Sequence, residues 1–169
     1  GLIQDKTALG WTGDSIAWKR MWAKIHAAQP EANPPAIVTR IQLIGQPGVY
    51  RGKPVRLKGF VRSIESRATK PGSAVLTPHD VAAPALPNHF AIWLEPFESK
   101  SGPLCVITPA IPAELTSNGQ PLDRSKLQKK NLQAQIDGVF FKNRSYQAAD
   151  QSVRNAPVIL SNQVTIQSQ

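Results

Sequence analysis

The chain has a single cysteine, Cys105, in 169 residues, so no disulfide can form within it, and neither an oxidising nor a reducing compartment can be read from it. Histidine is nearly as scarce. His26, His79 and His89 are dispersed, with no His-x-x-x-His spacing and no neighbouring thiol, which speaks against a zinc site. No run approaches the roughly 18 apolar residues that a spanning helix requires, and the N-terminus has no signal-peptide pattern. A Gly-rich phosphate loop, a Gly-x-Ser-x-Gly elbow and a dinucleotide fingerprint are all missing, and with them the usual marks of nucleotide and acyl-transfer chemistry. Glu95 and Glu98 sit close together at a proline-containing strand end, which does not pair them for acid–base work. The expectation is a chain that is not an enzyme, with no metal and no cofactor. Its first residue is Gly1 rather than Met, which reads as a trimmed start and leaves an exported or membrane-anchored precursor open. Localisation and oligomeric state are not legible.

Acidic residues are also few. Against 11 Asp and Glu stand 20 Lys and Arg, a formal charge of +9, which suits nucleic acid, an acidic polysaccharide or an anionic surface without singling one out. With 41% hydrophobic residues the length fits one compact domain with an appendage.

The appendage is residues 1–49. In "DSIAWKRMWAKIHAAQP" Asp14 or Ser15 can cap a helix, Trp18, Met21, Trp22 and Ile25 recur at helical spacing, and Pro30 closes the segment. An aromatic stripe of this kind is expected to dock on the domain that follows. After the linker "PEANPP", the stretch "AIVTRIQLIGQPGVYRG" suits either a short helix or a strand.

The domain proper is residues 50–169. "PVRLKGFVRSIE" alternates, placing Val55, Leu57 and Val61 on one face and Arg56, Lys58, Phe60 and Arg62 on the other. "HFAIWLEPF" alternates again, with Phe90, Ile92 and Leu94 expected inside and Trp93 outside. "PLCVITPAI", "LQAQIDGVFFKNRSYQA" and "APVILSNQVTIQ" read as three further strands. Short helices fit Pro112 to Leu115 and Ser125 to Lys130, between the third strand and the fourth. Gly59 and Gly138 fall within strands, as at bends or barrel corners. A long Ala/Pro/Ser/Thr-rich connection, residues 66–88, has the composition of a flexible loop.

Five strands in this order, with a helical insertion after the third, resemble the OB-fold, the Greek-key barrel of anticodon-binding and single-strand-binding proteins. "YRGKPVRLKGFVR" also resembles a phrase found in uncharacterised bacterial proteins. The resemblance implies a mainly β, five-stranded OB-like barrel with the N-terminal helix packed against it. It implies a ligand surface on the outer face of strands two and three, flanked by loops near 66–88 and 143–156. The ligand-binding candidates are then Arg56, Lys58, Phe60, Arg62 and Trp93, with Lys142, Arg144 and Arg154 extending a basic rim. The reading placed first is a non-catalytic binding or interaction module that contacts a protein as a scaffold. Single-stranded nucleic acid on the basic and aromatic face, and an anionic glycan in the cell envelope, are the alternatives. If the helix covers Phe60 and Trp93, no stacking platform is left for bases.

Overall fold

A computed structural model of the protein describes residue 5 and residues 12–27, 34–67, 89–98 and 102–167. The expected five strands are present: β1 (Pro54–Arg67), β2 (His89–Pro96), β3 (Leu104–Thr108), β4 (Gln133–Gln147) and β5 (Val153–Gln167). They run in the order β1-β2-β3-β5-β4, and pairing of β4 back onto β1 closes the barrel. Strands β3 and β5 are parallel and the other contacts antiparallel, so the sheet is mixed.

Alternation decides which side chains fill the cylinder. Val55, Leu57 and Val61 of β1 join Ile92, Leu94, Leu104, Val106, Ala134, Ile136, Phe140 and Ile159 in one buried cluster. Phe90, at the strand end opposite Ser66, is only half-buried. Burying each aliphatic side chain stabilises the barrel by roughly 1.5–3 kcal/mol.

The two strand glycines stand where β-strands cross too closely for a side chain. A Cβ on Gly59 would lie 2.5 Å from the Glu95 carbonyl oxygen, and one on Gly138 would lie 2.5 Å from that of Leu160. Gly138 is also the residue at which the β4–β5 register slips, so it marks a bulge as well as a contact.

Helix α1 (Thr12–Ala27) begins ahead of Asp14 and Ser15. It lies outside the barrel, where Trp22 and Ile25 pack with Ala91, Cys105, Ile107, Phe141, Val158 and Leu160, and Trp18 and Met21 add to the contact. The ambiguous stretch after it is mostly helical. Ala36–Ile37 pairs in parallel with β1. Helix α2 (Arg40–Gly45) then starts on a capping box formed by Thr39 and Gln42, and the single turn α3 (Pro47–Tyr50) follows. Helix α4 (Arg124–Lys130) is capped by Asp123 and ends at Asn131 in the left-handed conformation. With a short 3-10 turn at Ala113–Leu115, it occupies the connection from β3 to β4, as expected.

Two expected loops need correction. The β4–β5 connection is the five residues 148–152 rather than 143–156, because both strands run on as a long paired ribbon. Strand β1 continues to Arg67, and residues 68–88 of the expected flexible loop lie outside the described residues. No described helix is long and apolar enough to cross a membrane.

Candidate functional site

The basic face of β1 is built largely of ion pairs. Arg56 donates from Nε and Nη2 to the two carboxylate oxygens of Asp137, directly opposite on β4, at 2.6 and 2.7 Å. That hydrogen bonding raises the guanidinium pKa above its usual value. Arg62 donates from Nε to Glu95 at 2.6 Å and from Nη1 to Asn131 at 2.9 Å. Arg67 is paired with Glu65, Arg51 with Asp5, and Arg154 with Asp150. Lys58 is exposed.

The aromatic candidates separate. Phe60 packs against Phe97 with ring centroids 4.9 Å apart, beneath the Arg62 guanidinium, and is not part of the helix-covered cluster. Trp93 lies at the margin of that cluster, with Tyr146 at 5.4 Å and the Arg144 guanidinium 5.4 Å above its ring. The cluster that α1 joins therefore reaches Trp93 and leaves Phe60 outside it.

The rim is corrected at three positions. Lys142 is fully buried. Strand β4 has an extra residue at Phe141, between the pairs Phe140–Ile159 and Lys142–Val158, and this turns Lys142 towards the face that carries Val158 and the helix-covered cluster. Arg154 is on the surface, but its charge is met by Asp150. Arg144 is half-buried over Trp93 instead of reaching into solvent.

The outer face of β3, half of the surface that the resemblance implies, is occupied by the protein itself. Cys105 and Ile107 are wholly buried in the cluster that Trp22 and Ile25 of α1 join. Burial pushes the Cys105 thiol up to about 11, although the nearby Arg144 guanidinium pulls the other way. That thiol is a packing group at neutral pH.

What remains open is a cleft of about 410 Å³ on the β1–β2 side. Strands β1 and β2 contribute Arg62, Ser63, Glu65, Trp93 and Glu95. Tyr146 comes from the end of β4, and Arg124 from the start of α4. Its parts are held in place by internal bonds. The Trp93 indole N–H donates to Glu65 Oε1 at 3.0 Å, and Glu65 Oε2 accepts from Arg67 at 2.9 Å. A bulge at Arg62, between the pairs Val61–Leu94 and Ser63–Trp93, turns this side chain towards Glu95. Sequence reasoning misses Tyr146, Arg124, Glu65 and Glu95 as site residues. Strict alternation from Val61 would turn Glu65 inward, and the bulge at Arg62 is what brings it to the outer face.

Such a site can hold an apolar group against two rings and orient it with a few polar contacts. It contains no histidine or thiol, and among the described residues no three His, Cys, Asp or Glu gather as metal ligands. No protein-family model matches the chain, and neither does any curated protein.

Proposed function

We propose that the chain is a non-catalytic interaction module, an OB-fold of a bacterial protein, that contacts a protein partner through the cleft around Trp93 and Tyr146. The observation that carries this reading is the pairing of the strand arginines. A surface that follows a nucleic-acid backbone needs cations free to replace counterions at phosphates, and Arg56 and Arg62 are each committed to a carboxylate. The cleft has the apolar rings and the sparse polar groups of a recognition site, and its volume falls within the usual range of roughly 300–1,000 Å³.

Single-stranded nucleic acid is the second reading because Phe60 and Phe97 form an aromatic pair near exposed Lys58. Titration with oligothymidylate at about 150 mM salt separates the two. The protein-contact reading expects no saturable quenching of tryptophan fluorescence. It also expects a photo-crosslinker at Ser63 to yield partner adducts that Trp93→Ala removes, while one at Lys58 yields none. Saturable quenching that Phe60→Ala abolishes would replace it with the nucleic-acid reading.

A further inference from the structure

We infer that the cleft recognises an acidic segment in extended conformation, held by Arg124 and laid along the free edge of β1. The inference rests on the protein-contact reading of the same cleft and names the chemistry of the partner.

The charge balance of the cleft is decided by which groups are already matched. Glu65 receives Arg67 and Glu95 receives Arg62, so the two carboxylates facing the cleft are neutralised by neighbouring guanidinium groups. Arg124 also lines the cleft and forms no ion pair among the described residues. Arg144 does not line the cleft, but its guanidinium lies over the Trp93 ring behind it, with Nε and Nη1 buried and without a hydrogen-bond partner. The surplus is therefore positive, in a chain whose formal charge is +9. An anionic side chain on the partner satisfies Arg124 where a lysine or arginine would be repelled.

The backbone supplies the shape. Strand β4 pairs with β1 only as far as Phe60, opposite Gln133, while β1 runs on to Arg67 against β2 alone. Beyond the Val61 N–H, which donates to the Leu132 carbonyl at 2.9 Å, the other edge of residues 62–67 has no strand neighbour among the described residues. An open edge beside a pocket is the arrangement in which an added strand makes main-chain hydrogen bonds and sends alternate side chains into the pocket. Apolar side chains of that strand meet Trp93 and Tyr146, and an acidic one meets Arg124.

The test uses the full chain and three fluorescein-labelled ten-residue peptides that alternate valine or phenylalanine with Glu, Gln or Lys. Fluorescence anisotropy should show the Glu peptide binding at least tenfold more tightly than the Lys peptide. Arg124→Glu should reverse that order with the circular dichroism spectrum unchanged, because Arg124 is an exposed residue. Equal binding of the Glu and Gln peptides, unaffected by Arg124→Glu, would overturn the inference and leave protein contact standing. Failure of all three peptides, together with no Ser63 crosslink, would remove both. Tight, Arg124-dependent binding of a heparin-derived oligosaccharide without peptide binding would assign the cleft to an anionic glycan instead.

Discussion

Arg56 and Asp137 face each other across the β1–β4 seam that closes the barrel, joined by two hydrogen bonds of 2.6 and 2.7 Å. The pair explains how a strand dense in arginine can be poor in available charge. Asp137→Asn should release Arg56 and make the face a better polyanion ligand. Each further phosphate that the protein neutralises on single-stranded DNA steepens the slope of log K against log salt by about 0.7. Retention on heparin resin should move to higher salt in the variant, whereas unchanged elution would mean that Arg56 is accessible even with Asp137 in place.

The barrel's tolerance for added atoms differs sharply among its glycines. Gly138→Ala places a methyl group 2.5 Å from a backbone oxygen and 2.8 Å from Ile159 Cγ2, and backbone cannot swing aside. A loss of about 1–3 kcal/mol in urea unfolding is expected, as for other overpacked sites. Gly45→Ala, with nothing within 4 Å, should leave the midpoint nearly unchanged. Equal effects at the two positions would contradict the β4–β5 contact.

Helix α1 packs over β4 and β5, and its Trp22 and Ile25 join the cluster that holds Cys105 and Ile107 of β3. Trp22 is 4% exposed, and truncating it to alanine should cost about 3–5 kcal/mol. It should also unmask Cys105, which in the native protein lies wholly buried with its thiol pushed up to about 11. At pH 8 only about one thiol in a thousand is ionised in that state, so a disulfide reagent should label the native protein slowly. In Trp22→Ala labelling should be at least tenfold faster. Rapid labelling of the unaltered protein would show that the helix does not seal this face.

Acidification should weaken the fold through His89. Burial, with Arg67 nearby, holds its imidazole below the ordinary value of 6.5, and its ring lies edge-on to Trp18 at 6.0 Å. The unfolded chain then binds the proton first. Stability from this group is complete above about pH 6.5 and falls as the pH drops towards the lower folded-state value. Thermal midpoints measured between pH 7.5 and 5.5 should decline in the native protein and decline less in His89→Phe. Parallel profiles would exclude His89 as the cause.

Much of this architecture is legible in the sequence because one rule, alternation along a strand, applies residue by residue. It places Val55, Leu57 and Val61 inside, and glycine in mid-strand points to the close approaches at Gly59 and Gly138. The rule fails wherever a bulge inserts a residue. Lys142 is read as a rim cation from its place near the end of β4; strict alternation from Phe140 would turn it inward, and the extra residue Phe141 turns it instead to the outer face of Val158, where it is nevertheless buried. The capping box at Thr39 and Gln42 is a local signal that favours a helix for α2 over a strand. The pairing of Arg56 with Asp137 lies beyond local reading, since it depends on the register of strands 81 positions apart. The cleft is hidden for the same reason. Tyr146 and Arg124 reach it from β4 and α4, and only the closed barrel brings them beside Trp93.

Central to all of this is the proposal that the barrel presents the Trp93–Tyr146 cleft, and not the arginine-rich strand, to its partner. Amide and indole NMR shifts recorded while the acidic peptide is added test it most directly. The prediction is that changes gather at Ser63, Glu65, Trp93, Arg124 and Tyr146 and leave Arg56, Lys58 and Gln135 in place. Changes centred on Arg56, Lys58 and Phe60, with the indole of Trp93 unmoved, would contradict it.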